Sequence, residues 1–235
     1  MILKMDWDTD YFGIKCGKVV IENSLENIET VKQEMLKYDF VSIQNPGNRA
    51  DVNCLIGKYT DAYLVDINIQ LKKAINKQFL VNKGTEIKPS LDMASDDKEM
   101  LSVEESDFVF SKFVCDDKLR EKNGYLVYKE WLINACSKKE KYFALHYFDD
   151  KLVGYVLFGI NNDVATIELV KVEREYMGQH IATNMINEIE DYLYQRNIKY
   201  LIVGTQVNNI PAINLYHSLG FKELSRTSVF HWWNK

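Results

Sequence analysis

Apolar residues along the first seventy positions recur at spacings that predict alternating strands and helices. Short apolar runs at residues 18–21 and 40–43 predict two strands. Between them, apolar residues three and four positions apart predict a helix that begins at Ser24, and a second helix is expected over residues 49–56. Polar and apolar residues alternate over residues 63–69, so we expect a strand with one buried face there.

The rest of the chain shows a longer series of the same kind. The predicted elements are a strand near 86–88, helices over 96–105 and 123–136, strands over 142–146, 152–158 and 164–172, a helix from about Ile181, a strand over 200–203, a helix over 211–219 and a strand over 227–232. This order predicts a mixed α/β (α+β) fold. The pattern is weakest near residues 82–85, so we expect a smaller N-terminal α/β domain over residues 1–80 and a second domain over residues 81–235.

Composition and charge narrow the functional classes. The 235 residues are 46% hydrophobic and 27% charged, which predicts a folded protein rather than a disordered one. The net charge of -5 leaves no broad basic surface, so nucleic acid and anionic membranes are not expected partners. The apolar runs are too short to span a membrane and the N-terminus lacks the apolar stretch of a signal peptide, so a cytoplasmic protein is expected.

The spacing of potential ligands predicts no metal site. The four cysteines are far apart, without a Cys-x-x-Cys pair, and the histidines share no metal-binding spacing. Asp6, Asp8 and Asp10 alternate as in a calcium loop. However, Tyr11 occupies the position of the turn glycine and Gly17 that of the bidentate glutamate, so we do not expect calcium.

Residues 168–182 carry the first candidate for chemistry. A predicted strand over 168–172 leads through Gly178 into a helix, and the first N–H groups of a helix are unpaired. With the positive end of the helix dipole they could bind phosphate, and a glycine lets the backbone approach the ligand closely. From the residues alone, an ordinary strand–loop–helix connection is equally compatible with this pattern.

Residues 207–221 carry the second candidate. Asn209 near the cap, Pro211 in the first turn and Gly220 after the end predict a short helix. Tyr216 lies beside the apolar residues of this helix. Its spacing alone favours a packed aromatic side chain.

Residues 209–221 read Asn-x-x-Ala-x-x-Leu-Tyr-x-x-x-Gly-Phe, and they follow a glycine-containing turn, a helix and a strand. This combination, over roughly residues 86–235, resembles the GNAT superfamily of acetyl-CoA-dependent N-acetyltransferases. The resemblance implies a C-terminal GNAT fold with a mixed, mostly antiparallel sheet, in which residues 169–172 splay from the strand over 200–203. In the family's phosphate-binding turn, Arg/Gln-x-x-Gly-x-Gly/Ala, Met177 and His180 replace the usual residues, so weaker pyrophosphate binding is expected.

The resemblance also implies roles for individual residues. Acetyl-CoA, the expected cosubstrate, would contact Leu169, Val170, Lys171, Val172, Met177, Gly178, Gln179, His180, Ile181, Ala182 and Asn209. Tyr216 would donate a proton to the departing sulfur and Glu168 would accept the ammonium proton, with a surface carboxylate as an equal alternative for Glu168. Lys171, Arg174 and His180 are the positive groups expected near the phosphates. Asn209 would cap the helix of Tyr216 or contact the pantetheine arm.

Residues 7–14, 111–117 and 128–134 resemble the Trp-Asp-x-x-Phe-Phe-Gly, Ser-Arg-Phe…Asp-Pro and Tyr-x-x-Trp-x-x-Asn segments of TDP-fucosamine N-acetyltransferases. This narrower resemblance implies a small-molecule acceptor, the 4-amine of a nucleotide-linked amino sugar, in a pocket shaped partly by the N-terminal domain. It also implies a homodimer. The residues expected to contact the acceptor are Trp7, Tyr11, Phe12, Lys112, Tyr128 and Trp131, of which Tyr11 and Lys112 replace Phe and Arg of the family pattern.

The sequence leaves two alternatives to this function open. The enzyme could acetylate another small amine or a peptide amine. The chain could also be a non-catalytic acyl-CoA-binding protein, an alternative that rests on Met177 and His180. For an enzyme, direct transfer in a ternary complex is expected, because no Gly-x-Ser-x-Gly motif or Cys/His pairing predicts an acyl-enzyme.

Overall fold

The computed structural model of this chain describes residues 1–22, 28–76 and 84–234. The strands are β1 (Leu3–Lys4), β2 (Cys16–Val20), β3 (Phe40–Pro46), β4 (Tyr63–Ala74), β5 (Thr85–Pro89), β6 (Lys141–Phe148), β7 (Lys151–Asn161), β8 (Val164–Val172), β9 (Tyr200–Gln206) and β10 (Lys222–Trp233). Within the described residues these ten strands form one sheet in the order β1-β2-β3-β10-β4-β9-β8-β7-β6-β5. β2 and β3 pair in parallel, as do β8 and β9, and the other neighbours are antiparallel. The predicted mixed, mostly antiparallel sheet is confirmed.

The helices agree with the predicted ones in most places. They are α1 (Asp6–Phe12), α2 (Ile28–Met35), α3 (Ala50–Tyr59), α4 (Ser95–Met100), α5 (Lys112–Cys115), α6 (Asp117–Glu121), α7 (Val127–Ala135), α8 (Ile181–Gln195) and α9 (Ile210–Ser218). Ser24, the predicted start of the first long helix, lies outside the described residues.

The helix predicted over residues 96–105 is shorter than expected, because α4 ends at Met100. Two residues later, the Ser102 carbonyl oxygen accepts a hydrogen bond from the Tyr155 hydroxyl at 2.9 Å. That tertiary contact fixes the chain after α4 in a non-helical path.

The acidic residues with calcium-like spacing, Asp6, Asp8 and Asp10, lie on helix α1. The helix ends at Gly13, which adopts the left-handed conformation with φ 64°.

Strand β7 is buried on both faces. Val153, Val156 and Phe158 belong to the core cluster that contains the apolar face of α8, whose members include Ile181, Met185, Ile189 and Leu193. Tyr155 and Leu157 belong to the cluster on the other face, with Leu132 and Ala135 of α7. The continuous apolar run of β7 is therefore explained by helices on both sides of the sheet.

The sheet connects the two ends of the chain. β10, the last strand, lies between β3 and β4 of the N-terminal part, and β4 then pairs with β9. Phe230 and Trp232 of β10 share a core cluster with Val41 and Ile43 of β3. The predicted boundary between residues 80 and 81 lies outside the described residues, and the division into two domains stays a prediction.

β8 and β9 pair at their beginnings and then separate. Their parallel register runs from Val164 opposite Tyr200 to Ile167 opposite Val203. Beyond this point β8 stays paired with β7, and β9 stays paired with β4. The separation coincides with a β-bulge, because Leu157 and Phe158 of β7 pair with Leu169 and Ile167 and leave Glu168 between them. This separation of β8 from β9 is the splay that the family resemblance implied.

Candidate active site

A cavity of about 310 Å³ lies where β8 and β9 separate, and we call it the gap cavity. Its lining includes Glu168, Leu169 and Val170 of β8, Thr205 of β9, Asn209, and Tyr216 of α9. Because every second N–H of a strand points toward each neighbouring strand, N–H groups of β8 are left without a β9 partner along this opening. The gap cavity therefore combines apolar walls with free backbone donors.

Tyr216 is held in the gap cavity by the structure of α9. The helix begins at its N-cap Asn209, whose side chain accepts a hydrogen bond from the Ala212 N–H at 3.3 Å, so the expected capping role of Asn209 is confirmed. The Tyr216 side chain is 4% exposed and its ring packs on Phe221 with the centroids 5.6 Å apart. Burial raises the pKa of Tyr216, so the hydroxyl keeps its proton at neutral pH.

Glu168 is fixed by two donors rather than free at the surface. One carboxylate oxygen binds the Lys141 ammonium, and the other accepts a hydrogen bond from the Trp131 indole N–H at 3.0 Å. The Glu168 side chain is 11% exposed, which excludes the surface carboxylate that the sequence left as an alternative. The carboxylate lies on the wall between the gap cavity and a larger one.

The larger cavity measures about 630 Å³, and we call it the polar cavity. Strands form one wall, with Gln44, Asp66, Asn68, Gln70, Thr166, Gly204, Gln206, Thr227 and Val229, and helices form the other, with Lys112, Phe113, Tyr128 and Trp131. Glu168, Tyr128, Gly204 and Gln206 also line the gap cavity. The two cavities are therefore adjacent, and a group bound in one can reach a group bound in the other.

Asp66 and Lys112 are the charged side chains that face each other across the polar cavity. Burial raises the pKa of Asp66 to about 7, and the positive charge of Lys112 opposes this increase. Burial likewise lowers the pKa of Lys112, against the attraction of Asp8 and Asp66. Within the described part of the chain, no carboxylate is paired with the Lys112 ammonium.

Sequence reasoning placed Asp66 on a strand but gave it no role. The alternation over residues 63–69 predicted that its face would be exposed, whereas α5 and α7 cover that face and enclose it in the polar cavity. The available signal was a single carboxylate, Asp66, between Val65 and Ile67 on the polar face of an alternating strand. Alternation distinguishes two faces of a strand but does not tell what covers each of them.

Three of the six residues that were expected to contact the acceptor lie together in the structure. Lys112, Tyr128 and Trp131 all line the polar cavity. The rings of Tyr128 and Trp131 are almost parallel, with an interplanar angle of 7° and centroids 6.2 Å apart. Trp131 is 41% exposed, so it forms the rim of the cavity.

The three residues on α1 lie elsewhere. Trp7 stacks on Tyr11 at a centroid distance of 5.1 Å, and the Tyr11 hydroxyl donates to the Asn123 carbonyl at 2.9 Å. Phe12 is 5% exposed and packs in a core cluster with Leu119. This corrects the expectation for Phe12, because its ring has no free surface for a substrate. Contact of Trp7 and Tyr11 with the acceptor stays a prediction.

The turn between β8 and α8 encloses a third cavity of about 270 Å³, the turn cavity, which is lined by Val172, Met177, Gly178, His180, Ile181, Ala182 and Leu215 among others. Gly178 (φ 78°) and His180 (φ 60°) both adopt the left-handed conformation. His180 is the N-cap of α8, and among the described residues its side chain makes no hydrogen bond to the first turn. The N–H groups of that turn are therefore available to an anion.

Met177 and Leu215 line both the turn cavity and the gap cavity, so these two cavities are adjacent. Gln179 is placed differently from its neighbours, since its side-chain amide donates to the Glu175 carbonyl at 3.4 Å. A long, thin ligand could run from the N-terminus of α8 to Tyr216.

Lys171 does not face this path. Its ammonium pairs with Asp107 at 3.0 Å and Glu173 at 3.1 Å and donates to the Ser102 hydroxyl at 2.9 Å. Burial opposes the charge, but the two carboxylates outweigh it and raise the pKa of Lys171. This corrects the expectation that Lys171 binds phosphate. It instead anchors to β8 the segment that carries Phe108, which lines the gap cavity.

Two findings concern the described residues as a whole. No group of three or more histidine, cysteine, aspartate or glutamate side chains in the described ranges is arranged to hold a metal ion. In the same ranges, no helix is both long enough and apolar enough to cross a lipid bilayer.

Comparison with known proteins decides the family. Residues 100–221, more than half of the chain, match the acetyltransferase (GNAT) family. This chain belongs to the GNAT family. It is accordingly an acetyl-CoA-dependent N-acetyltransferase, and the non-catalytic alternative is set aside.

Individual relatives of this GNAT protein are distant. It is 20% identical over 213 residues to the spore coat polysaccharide biosynthesis protein SpsD of Bacillus subtilis (strain 168), covering 91% of this chain and 73% of SpsD. It is 34% identical over 76 residues to the streptothricin acetyltransferase of Escherichia coli, covering 32% of this chain and 44% of that enzyme. The crystal structure of a GCN5-related N-acetyltransferase from Sphaerobacter thermophilus superposes with a TM-score of 0.56 at 13% identity, over 87% of this chain and 64% of that one, and supports the fold.

GNAT acetyltransferases use acetyl-CoA, and the geometry of this GNAT chain fits that molecule. The uncapped N–H groups in the first turn of α8 suit a pyrophosphate. The adjacent turn and gap cavities suit an extended arm that ends in a thioester. The expected acetyl-CoA contacts that line these cavities are Leu169, Val170, Val172, Met177, Gly178, His180, Ile181, Ala182 and Asn209.

We expect His180→Gly to tighten the binding of acetyl-CoA about fivefold. Glycine removes the imidazole and its Cβ from the cradle, so the pyrophosphate can approach the backbone N–H groups more closely, a gain on the order of 1 kcal/mol. The dissociation constant measured by calorimetry tests this. Asn197→Gly is the matched control, since Asn197 also has a positive φ (58°) but lies at the other end of α8. Weaker binding by the glycine variant would instead assign the imidazole as a phosphate partner.

Proposed function

We propose that this GNAT enzyme acetylates the amine of a nucleotide-linked amino sugar, by direct transfer in a ternary complex. The observation that supports this acceptor is the polar cavity beside the gap between β8 and β9. A volume of about 630 Å³ is within the usual range for small-molecule sites and leaves room for a sugar with a further group attached.

The lining of the polar cavity suits a hexose. The side-chain amides of Gln44, Asn68, Gln70 and Gln206 and the hydroxyls of Thr166 and Thr227 can donate to and accept from sugar hydroxyls. The rings of Tyr128 and Trp131 offer flat apolar surface for the C–H face of the sugar. The distant relation to SpsD, a protein named for polysaccharide biosynthesis, agrees with this chemistry.

Lys112 supports the nucleotide part of the proposal. An ammonium that is partly buried and has no carboxylate partner among the described residues is costly unless a ligand supplies the opposite charge. The phosphates of a nucleotide-linked sugar would supply it. A sugar without a phosphate would leave the charge of Lys112 unbalanced.

The chemistry requires a neutral amine and a proton for the departing sulfur, and this chain has groups for both. Acetyl-CoA supplies the acetyl group as a reactive thioester. Asp66 accepts the ammonium proton, because a carboxylate with a pKa of about 7 can take up a proton at neutral pH. Glu168, held by Lys141 and Trp131 on the wall between the cavities, orients the amine and is the second acceptor for that proton.

The neutral amine attacks the thioester carbonyl carbon, and the C–N bond forms as the C–S bond breaks. Tyr216 donates its hydroxyl proton to the departing sulfur and is reprotonated by the second proton that the attacking nitrogen releases. Free N–H groups of β8 near Val170 donate to the carbonyl oxygen of the thioester as negative charge develops on it. Holding both reactants beside these groups supplies much of the rate enhancement.

A panel of acceptors tests the proposal. The purified protein is incubated with acetyl-CoA and nucleotide-linked amino sugars, free amino sugars, small cationic amines or peptides, and products are detected by mass spectrometry. We expect a kcat/KM for the best nucleotide-linked sugar about 100-fold above that for the free sugar, since charged contacts to phosphate are lost in the latter. Preferred acetylation of a peptide or a cationic amine would overturn the proposed acceptor.

Lys112→Met is expected to raise the KM for a nucleotide-linked acceptor by about 10- to 100-fold, since a charge-assisted contact to phosphate is lost. The KM for the corresponding free amino sugar should stay unchanged. Lys129→Met, an exposed lysine on α7, is the matched control. For a cationic acceptor, such as a streptothricin-like amine, the Lys112 variant would instead lower the KM, because a repelling charge is removed.

A further inference from the structure

A fully buried carboxylate, Asp116, lies between α5, which carries Lys112, and α6. Its Oδ2 atom accepts three hydrogen bonds, from His231 Nδ1 at 2.7 Å, the Tyr63 hydroxyl at 2.8 Å and Trp233 Nε1 at 3.0 Å. Its Oδ1 atom accepts the backbone N–H groups of Lys118 and Leu119 at 3.0 and 3.1 Å. Five donors therefore converge on one side chain.

These donors keep Asp116 ionised. Burial alone would raise its pKa, but the hydrogen bonds from His231 and Trp233 outweigh that effect and lower the pKa to about 2. Burial lowers the pKa of His231, so its ring is neutral and donates through Nδ1. An ionised carboxylate only accepts hydrogen bonds, and all five of its contacts are donors. The arrangement is matched to a carboxylate and not to an amide.

The bonds to Asp116 connect the two walls of the polar cavity. Tyr63 begins β4 and Trp233 ends β10, the strands that also carry Asp66 and Thr227 on the cavity wall. On the other wall, α5 ends directly before Asp116 and places Lys112 in the cavity. The carboxylate thus links strands of one wall to the helix that carries Lys112 on the other.

We infer that Asp116 is a positioning residue for the acceptor: by tying α5 to β4 and β10, it sets the place of the Lys112 ammonium against the bound acceptor. The inference rests on the proposed function in one respect, which is that the polar cavity takes the acceptor. It does not depend on acetyl-CoA, whose cavities are lined mostly by β8, β9, α8, α9 and the turns beside them, with Phe108, Phe110 and Tyr128. If Asp116 only stabilised the fold, its substitution would change the binding of both substrates or of neither.

A graded series of variants tests this role. Tyr63→Phe removes one donor and keeps the ring, and we expect the acceptor KM to rise about fivefold. Asp116→Asn places an amide NH₂ among donors, and we expect a rise of about 30-fold or more. The dissociation constant of acetyl-CoA should stay within about twofold in both variants. Asp117→Asn is the matched control, since Asp117 is the exposed neighbour and pairs with Arg120.

A double-mutant cycle shows whether Asp116 acts through Lys112. In the Lys112→Met background, Tyr63→Phe should change the acceptor KM by less than about twofold, because the group that it positions is absent. Full additivity of the two substitutions would overturn the inference, and so would an acceptor KM that is unchanged in both Tyr63→Phe and a folded Asp116→Asn protein. The milder Tyr63→Phe variant covers the case in which Asp116→Asn does not fold.

The series is measured with whichever amine the acceptor panel identifies as the best substrate. Failure of the proposed acceptor is therefore seen in the panel, whereas failure of the Asp116 inference is seen in the cycle.

Discussion

Tyr216→Phe is expected to lower kcat by about 100- to 1,000-fold, because the variant loses the proton donor for the departing sulfur. The phenylalanine ring keeps the packing against Phe221, so the fold of α9 should be retained. The hydroxyl takes no part in binding the pyrophosphate end, and the dissociation constant of acetyl-CoA should stay within about twofold. Steady-state kinetics and calorimetry measure the two quantities.

Tyr142→Phe is the control for Tyr216→Phe. Tyr142 is a partly buried tyrosine that packs on Phe158 in the same core cluster but lies away from the gap cavity. Its substitution should leave kcat unchanged. A kcat within about twofold of the wild type for Tyr216→Phe would remove Tyr216 as the acid, since general acid catalysis contributes far more than that.

Asp66→Asn is expected to lower kcat/KM at neutral pH by about 100- to 1,000-fold. In the wild type, the base form of Asp66 increases as pH rises through its pKa of about 7, so activity should rise between about pH 6 and pH 8. The variant should lose this rise. A pH–rate profile of kcat/KM with saturating acetyl-CoA measures the effect, and a rise that persists in the variant would contradict the role of Asp66.

The stability of the Asp66→Asn protein separates chemistry from unfolding. The folded-state pKa of Asp66 is raised above that of an exposed aspartate, so its stabilising contribution is present below about pH 4 and is lost as pH rises toward about 7. Above that range the ionised side chain destabilises the fold. The asparagine variant should therefore have a higher Tm at pH 8 than the wild type, while its activity is lower. Glu168→Gln is the comparison variant. In this variant, the rise of kcat/KM between about pH 6 and pH 8 should remain.

Local sequence signals were sufficient to predict the part of the site near α8 and α9. Gly178 adopts the left-handed conformation that its position in the turn required, and Asn209 caps the helix that its spacing predicted. These features depend on residues within one or two helical turns of each other. The splay of β8 from β9 followed from the family resemblance rather than from periodicity.

Contacts that join distant segments could not be predicted in the same way. Lys171 has the charge expected of a phosphate ligand, but its partner Asp107 comes from a segment without hydrophobic periodicity. Asp66 lies on a correctly predicted strand, yet the helices that enclose it come from far along the chain. Phe12 matches a family motif, but only the packed structure shows its ring in a core cluster.

The position of β10 has a consequence for how the protein forms during synthesis. β3 and β4 are made well before β10, the strand that lies between them. Until Lys222–Trp233 has left the ribosome, both early strands present open edges, which are sites for mispairing and aggregation. Completion of the sheet therefore requires the synthesis of β10, and a nascent chain that stalls before β10 should require chaperones.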